Sequence, residues 1–244
     1  MQAQDAGPIG KAVLLAGGLG MRLRPLTNII PKPLLPIGES TILEIQMLAF
    51  KKHGVSDIYI ASNYMSDYLE SVVGQGEKYG VRITISRERE PLGTCGPLSL
   101  LREQLNEPFF VMNGDILTDI DFANLGGFAL SHAADLTIVT KEINIPFRFG
   151  RVVAQGDYVV DVEEKPTYKH EILAGIYAMK PGILNVIPDG KYYGIDTLIK
   201  DMLATRRPVA KYMMHGYWTD IGQLDDYEIA KREMALRTGT ASAA

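Results

Sequence analysis

Short apolar runs alternate with segments of helical periodicity through the first half of the chain. Apolar runs of this length, bounded by turn residues, predict buried strands at Lys11–Ala16, Ile58–Ala61, Arg82–Ser86 and Phe109–Met112. The segments between them predict helices from an N-cap at Ser40 to Lys52, over Asp67–Val73 and over Pro97–Leu105. This alternation is typical of a mainly parallel sheet with helices on both faces, which binds ligands at the carboxyl ends of its strands.

From Asp135 onward the pattern changes to short strands that are joined by turns. We predict these strands at Leu136–Thr140, Arg151–Ala154, Tyr158–Glu163 and Ala174–Met179, and a further strand, after two helices, at Val209–Met214. Helices are predicted at Gly182–Ile187, Asp196–Ala204 and Leu224–Ala235. The predicted fold class is α/β, a Rossmann-like three-layer sandwich with a mainly parallel central sheet and an antiparallel extension. The sequence has no hexapeptide repeat, so no β-helix domain is expected.

The overall composition is that of a globular domain with a full core. The chain has 244 residues, of which 46% are hydrophobic, and this is enough for one large α/β domain. Its formal net charge of −4 argues against a nucleic acid or an anionic membrane as a partner. We expect a single domain over residues 10–236, with disordered ends at residues 1–9 and 237–244.

Cysteine usage and hydropathy bear on the compartment. Cys95 is the only cysteine, so no internal disulfide can form and a reducing compartment is expected. No run of 18 apolar residues is present, and the first residues lack the basic start and apolar core of a signal peptide. The sequence therefore predicts a soluble, cytoplasmic protein.

A glycine-rich, cationic loop follows the first predicted strand. Backbone N–H groups at Gly17, Gly18 and Gly20 can approach an anion, and Arg22 and Lys32 can neutralise a polyphosphate. The loop lacks the third glycine of a dinucleotide-binding fingerprint and the Gly-Lys-Ser/Thr of a Walker A loop. A phosphate cradle of another kind is therefore the favoured interpretation, and a plain strand-to-helix turn is the alternative.

Two aspartates are candidates for binding a divalent cation. Asp115 follows an apolar strand and the Asn113-Gly114 pair, and Asp220 follows another apolar strand. Two carboxylates at strand ends can share one Mg²⁺ whose other ligands are phosphate oxygens and water. Taken separately, each aspartate could instead cap its loop, which is the commoner role.

The segment Leu15–Ile37, which reads LAGGLGMRLRPLTNIIPKPLLPI, closely resembles the opening signature of the sugar-1-phosphate nucleotidylyltransferases, also called nucleoside-diphosphate-sugar pyrophosphorylases. The resemblance extends through Asp115, Glu164–Pro166 and Trp218–Gly222, and it is strongest to mannose-, heptose- and glucosamine-1-phosphate guanylyltransferases. Members join a nucleoside triphosphate to a sugar 1-phosphate and release pyrophosphate. The resemblance thus implies these two substrates as partners and Mg²⁺ as the cofactor.

The resemblance also implies a role for each matching position. The implied nucleotide-binding residues are Leu15, Ala16, Gly17, Gly18, Gly20, Arg22, Glu88, Pro91, Gly93 and Asp115. The implied sugar-binding residues are Asn113, Gly150, Glu164, Lys165 and Gly175. The implied catalytic residues are Arg22, Lys32, Asp115 and Lys165, and the implied metal ligands are Asp115 and Asp220. No side-chain nucleophile is needed, because the attacking phosphate oxygen is already ionised.

Glu88 opens the segment that matches the base-reading loop of the family, where thymidylyltransferases and some uridylyltransferases carry glutamine. A carboxylate offers only acceptors, and guanine presents adjacent N1–H and N2–H donors. This pairing favours GTP, with UTP or dTTP as the alternative. The identity of the sugar stays open.

Two other functional classes are compatible with parts of the sequence. Asp119-Ile120-Asp121 spells the short metal motif of nucleotide-sugar-dependent glycosyltransferases, although three residues of this kind often occur by chance. A catalytically silent regulatory subunit that binds a nucleotide-sugar is the third possibility, but the cations and aspartates of the signature are all present. For the assembly, a homodimer is the state we consider.

Overall fold

A seven-stranded mixed sheet forms the centre of the fold in the computed structural model, which describes residues 9–238. The strands are β1 Lys11–Leu15, β2 Pro36–Ile37, β3 Ser40–Thr41, β4 Asp57–Ser62, β5 Arg82–Arg87, β6 Phe109–Asn113, β7 Ile116–Thr118, β8 Leu136–Pro146, β9 Arg151–Gln155, β10 Tyr158–Glu163, β11 Thr167–Met179, β12 Val209–Met214 and β13 Trp218–Asp220. The main sheet has the order β12-β8-β11-β6-β1-β4-β5. Strand β11 is antiparallel to both of its neighbours, and the other neighbouring pairs are parallel. The predicted mainly parallel sheet is therefore confirmed.

The antiparallel extension differs in detail from the prediction. Strands β8 and β11 are longer than predicted and pair with each other from Leu136 with Met179 to Pro146 with Thr167. Strand β12 pairs parallel to β8, and β9 and β10 form a separate two-stranded ribbon. The polar, exposed ends of β8 and β11 lack the apolar run that marks a buried strand, so the sequence pattern ends before the strands do.

Five α-helices accompany the strands in the described chain. They are α1 Ile42–Lys52, α2 Ser66–Val73, α3 Phe122–Ser131, α4 Ile195–Ala204 and α5 Leu224–Thr238. The segments predicted as helices at 97–105 and 182–187 are 3₁₀ helices over Gly96–Leu101 and Pro181–Asn185. Helix α3 is absent from the prediction because Gly126 and Gly127 lower its helix propensity.

Helix α1 starts one residue later than predicted. The Thr41 hydroxyl, not that of Ser40, accepts a hydrogen bond from the Glu44 N–H at 3.2 Å, and the Glu44 carboxylate accepts one from the Thr41 N–H at 2.8 Å. This reciprocal capping box satisfies two N–H groups that the helix leaves unpaired. Ser40 instead pairs with Ile37 in the β2–β3 hairpin.

The buried side chains form two layers on the main sheet and a third cluster beside it. Alternation along β1 places Leu14 on the face covered by α1, α2 and α3, and Val13 on the face covered by α4. This arrangement is the predicted three-layer sandwich. The third cluster joins Leu23 of the glycine-rich loop to Ile221 and to Tyr227 of α5. Full burial of Leu23 contributes about 1.5–3 kcal/mol and holds the loop in place.

The ends of the described chain are more ordered than the predicted boundaries. Ile9 is only 6% exposed and packs in the core, and Arg237 donates to Asp119 from within α5. The rest of the predicted disordered ends, residues 1–8 and 239–244, lies outside the described residues. Within residues 9–238, every helix is too short or too polar to cross a lipid bilayer.

Candidate functional site

A cavity of about 310 Å³ opens at the carboxyl ends of β1 and β6. Its lining residues are Leu15, Gly17, Gly18, Glu88, Pro91, Gly93, Thr94, Asn113, Asp115 and Tyr192. The structure thus brings most of the residues implied for nucleotide binding to one place, together with Asn113 from the implied sugar set. Thr94 and Tyr192 are absent from the predicted set, and the tyrosine pair in Gly-Lys-Tyr-Tyr-Gly is the only sequence signal that could have found the second of them.

Glycines allow the strand ends and the segment 88–96, called the base-side loop below, to meet at this cavity. A Cβ on Gly17 would lie 2.6 Å from Glu88 Oε1, and a Cβ on Gly114 would lie 2.6 Å from the Leu15 carbonyl oxygen. The Gly114 N–H donates to that carbonyl at 2.9 Å. A side chain at position 114 would collide with backbone, so close approach requires this glycine, whereas a side chain at position 17 would displace the Glu88 carboxylate.

Lys32 and Asp115 form an ion pair at the edge of the cavity. The Lys32 ammonium donates to Asp115 Oδ2 at 2.5 Å, with the two side chains 13% and 26% exposed. Lys32 lies in a 3₁₀ helix, and Asp115 lies in the tight turn between β6 and β7. Because water is partly excluded, this pair is screened less than a surface ion pair.

Antiparallel pairing of β7 with β13 brings the second aspartate to the first. Asp220 is opposite Ile116 in the register, and the Ile221 N–H donates to the Asp115 carbonyl at 3.0 Å. Burial raises the pKa of the Asp220 carboxyl, and the nearby Asp115 carboxylate raises it further, while Lys32 and Arg22 lower it. Two carboxylates therefore repel each other here, and a cation would relieve that repulsion.

The carboxylates of Asp115 and Asp220 fit a hard divalent cation. Carboxylate oxygens are the ligands that Mg²⁺ prefers, and one or two of them suffice when phosphates and water complete the shell. Within residues 9–238, no group of three or more histidine, cysteine, aspartate or glutamate side chains could hold a metal. The remaining ligands of a metal at Asp115 and Asp220 would thus be water molecules or the oxygens of a bound phosphate compound.

Other implied nucleotide-binding residues lie beside the cavity rather than in its lining. Arg22 is exposed, and its Nη2 would lie 3.5 Å from a Cβ on Gly222, next to the Asp220 strand end. The Gly20 carbonyl accepts hydrogen bonds from the Thr27 hydroxyl and the Leu23 N–H. Ala16 is buried and its N–H donates to β4. The last two residues therefore shape the loop.

The implied sugar-binding residues fall into two groups. Asn113 lies over Gly175, whose φ is +68° and where a Cβ would be 2.7 Å from Asn113 Nδ2. The buried Asn113 Oδ1 has no hydrogen-bond partner among the described residues. A buried acceptor without a partner costs stability, which marks Asn113 as a candidate for a functional role.

The second group lies at the base of the β9–β10 ribbon. A Cβ on Gly150 would be 3.2 Å from Glu164 Oε2, and Lys165 Nζ lies 3.7 Å from Glu164 Oε1. Lys165 has a φ of +45°, a conformation that costs energy for a residue with a side chain and is often found at functional sites. These three residues are exposed and are not among the described residues that line the cavity.

Gln46 supports the turn that carries Asp115, and the resemblance does not assign it a role. It is 2% exposed on α1, and its Nε2 donates to the carbonyls of Asn113 at 3.0 Å and Ile116 at 2.8 Å. Those two carbonyls bracket Asp115. An amide among the apolar residues of an amphipathic helix is the sequence signal that could have found it.

Gln46→Met is expected to lower the free energy of unfolding by about 1–3 kcal/mol, because two carbonyls would lose a buried donor. Urea unfolding followed by circular dichroism measures this. Gln104→Met is the control, because that side chain is exposed and only its backbone carbonyl accepts a bond, from Lys11. Equal stability of both variants would contradict the role of Gln46.

Glu88 is a buried carboxylate at the base-side end of the cavity. It is 7% exposed, and its Oε2 accepts a hydrogen bond from the Leu92 N–H at 3.0 Å. Burial raises the pKa of the Glu88 carboxyl, and the hydrogen bond from Leu92 opposes this only in part. Keeping an under-satisfied carboxylate in this position costs stability.

We expect Glu88→Gln to stabilise the ligand-free protein at neutral pH. The folded state holds the Glu88 proton more tightly than the unfolded chain, so wild-type stability falls as pH rises from the ordinary glutamate pKa to the folded-state value. Glutamine cannot ionise and still accepts from the Leu92 N–H. The advantage of the variant should vanish below about pH 4.5, the ordinary glutamate pKa. Thermal unfolding at a series of pH values measures it, and a pH-independent difference would refute the interpretation.

The Asp119-Ile120-Asp121 motif has structural roles. Asp121 Oδ1 caps α3 by accepting from the Asn124 N–H at 2.9 Å. Asp119 accepts from the Tyr217 N–H at 2.6 Å and from Arg237 at 2.7 Å. Cys95 is equally unavailable for chemistry, because burial raises the pKa of its thiol to about 12. The structural roles of Asp119 and Asp121 therefore give no support to a glycosyltransferase.

The glycine-rich backbone, Lys32 and the two aspartates meet beside the carboxyl ends of β1 and β6, the edge at which parallel sheets commonly bind phosphate compounds. Residues 11–236 match the family model described as nucleotidyl transferase, and the chain belongs to this family. It is 39% identical over 225 residues to the mannose-1-phosphate guanyltransferase of Yarrowia lipolytica, an alignment that covers 89% of this chain and 62% of the relative. The chain thus spans less than two thirds of the length of that relative.

Two solved structures have the same fold. HddC from Yersinia pseudotuberculosis, complexed with GMP-PN, has a TM-score of 0.72 and 27% identity, covering 93% of this chain and 100% of that one. UDP-glucose pyrophosphorylase complexed with UDP-glucose has a TM-score of 0.71 and 18% identity, covering 94% and 99%. The second likeness is evidence for the fold alone.

Proposed function

We propose that this protein transfers a guanylyl group from GTP to a sugar 1-phosphate and releases pyrophosphate. The observation that carries the proposal is the cluster of Lys32, Asp115 and Asp220 beside a cavity at the carboxyl ends of β1 and β6. A sugar phosphate oxygen attacks the α-phosphorus in line, a new P–O bond forms, and the bond to the bridging oxygen of pyrophosphate breaks. Two anions must meet, so neutralisation and positioning are the main tasks.

The residues divide this work by position. The backbone at Gly17 and Gly18 holds the triphosphate at the strand end, and Arg22 binds the β- and γ-phosphates and stabilises the leaving pyrophosphate. Lys32 neutralises phosphate charge next to Asp115. When bound by Asp115 and Asp220, Mg²⁺ would supply charge neutralisation and orientation of the α-phosphate.

Glu88 at the base-side end supports guanine over the other bases. Its carboxylate offers two acceptor oxygens, and guanine offers two adjacent donors. The same reaction with UTP or dTTP is the less favoured alternative. Uracil and thymine present a single N–H between two acceptors, so they would match the Glu88 carboxylate poorly. The names of the Yarrowia lipolytica relative and of the GMP-PN complex of HddC support the same choice.

In this proposal the sugar 1-phosphate binds beside Asn113 and the β9–β10 ribbon. Asn113 Oδ1 and the Glu164 carboxylate accept hydrogen bonds from sugar hydroxyls, and Lys165 binds the sugar phosphate. The backbone at Gly150 and Gly175 passes close to the sugar ring. Mannose 1-phosphate is the first sugar to test, because the Yarrowia lipolytica relative is named for it.

The test is pyrophosphate release from GTP, UTP, dTTP, CTP or ATP, each with mannose, glucose, glucosamine and heptose 1-phosphates. We expect release with GTP and at least one sugar, only when Mg²⁺ is present, and suppression by a chelator. Absence of pyrophosphate across the whole panel would refute the proposal. Consumption of a GDP-sugar that does not depend on pyrophosphate would favour the glycosyltransferase alternative.

A further inference from the structure

Tyr192 is an exposed aromatic residue at the mouth of the cavity. Its side chain is 73% exposed, yet it lines the cavity together with Pro91, Gly93 and Thr94. Of the described residues that line this cavity, it is the only aromatic one. Within residues 9–238, no other aromatic ring is stacked on it, so a flat apolar face is left exposed beside the cavity.

Backbone hydrogen bonds fix the loop of Tyr192 to the base-side loop. The Tyr193 N–H donates to the Leu92 carbonyl at 2.9 Å, and the Tyr193 carbonyl accepts from the N–H groups of Cys95 and Gly96 at 2.9 and 3.0 Å. The Ile195 N–H donates to the Thr94 hydroxyl at 2.8 Å. The ring is therefore carried by a backbone that is already held in place, so little ordering is needed on binding.

Gly93 leaves open space in the cavity next to the Tyr192 ring. Its φ is +79°, and a Cβ there would lie 2.9 Å from the Tyr193 carbonyl and 3.2 Å from Tyr192 Cε2. A side chain at position 93 would be strained and would collide with the Tyr193 carbonyl. The cavity wall at this point therefore consists of glycine backbone and the edge of the Tyr192 ring. Glu88 lies on the same cavity and supplies hydrogen-bond acceptors but no apolar surface.

We propose that Tyr192 is a base-contacting residue whose ring packs against the nucleobase of the bound triphosphate. This inference rests on the proposed function. Stacking on an aromatic ring contributes about 1–3 kcal/mol per base and tolerates any base, so Tyr192 adds affinity and Glu88 adds selectivity. The phenol hydroxyl is not required for this contact.

The test is calorimetric binding of GTP, without a sugar phosphate, to the wild type, Tyr192→Ala and Tyr192→Phe. We expect the alanine variant to raise the Kd about 5- to 150-fold, which is ~1–3 kcal/mol, and the phenylalanine variant to stay near the wild type. Inorganic tripolyphosphate, which has no base, should bind all three proteins equally. Tyr158→Ala is the control, because that tyrosine is 80% exposed on β10, away from the cavity lining.

The outcomes separate this inference from the proposed function. If the wild type turns over GTP and Tyr192→Ala binds it as tightly as the wild type, the inference is wrong and the function stands. An equal loss of affinity for tripolyphosphate would also overturn it, because the residue would then act on the loop and not on the base. If the wild type binds none of the triphosphates, the proposed function fails, and the inference fails with it.

Discussion

Replacing Asp115 by asparagine is expected to reduce kcat with Mg²⁺ about 10³-fold, the equivalent of ~4 kcal/mol in the activation free energy. Asparagine keeps the shape of the side chain but removes the charge that pairs with Lys32 and would bind the cation with Asp220. The fold should survive, because the loss of the ion pair is offset by relief of the repulsion between the two carboxylates. Pyrophosphate release and thermal unfolding of the same preparation measure both effects.

The matched control for this substitution is Asp121→Asn. Asp121 precedes α3 and caps it, and asparagine is an equally good N-cap, so activity and stability should both stay near the wild type. Full activity of Asp115→Asn would refute the metal role. Unfolding of that variant would instead show that the Lys32–Asp115 pair holds the turn together.

The pattern of apolar residues was sufficient to predict the strands in the parallel half of the sheet. Strands β1, β4 and β6 are continuous apolar runs because both of their faces are covered, and such runs are readable without any partner. Helix α3 and the outer ends of β8 and β11 lack this signal. Their formation depends on packing against neighbours, such as Gly126 against Phe110, which no local pattern contains.

The candidate site shows the same division. The glycines and Lys32 lie in one continuous segment between β1 and β2, so their concentration is visible in the sequence. The meeting of Asp115 with Asp220 depends on the register of β7 with β13, two strands of three residues each that are far apart along the chain. Their positions after apolar strands made both aspartates candidates, and the resemblance supported pairing them. Tertiary packing brings Gln46 to the Asp115 turn and Tyr192 to the cavity, and the sequence signal for each is only an isolated polar or aromatic residue.

Replacing Lys32 by methionine is expected to separate cation binding from turnover. In the ligand-free protein the Lys32 ammonium neutralises Asp115 at 2.5 Å, and it competes with any divalent cation for that carboxylate. Without it, Arg22 is left to offset the repulsion between Asp115 and Asp220, so the variant should unfold at a lower temperature in a chelator. We expect it to bind Mg²⁺ about 10-fold more tightly than the wild type does, which is ~1.4 kcal/mol.

Turnover should move in the opposite direction. Lys32 is proposed to neutralise phosphate charge as the two anionic substrates approach, and loss of one such cation typically costs about 10²–10³-fold in kcat. Thermal unfolding against Mg²⁺ concentration gives the first quantity, and pyrophosphate release at saturating Mg²⁺ gives the second. Lys200→Met is the control, because Lys200 is exposed on α4 and pairs only weakly with Asp196. Tighter Mg²⁺ binding with lower kcat would show that Lys32 competes with the metal for Asp115 and also contributes to turnover. A fall in both would show that the lysine only holds the aspartate in position.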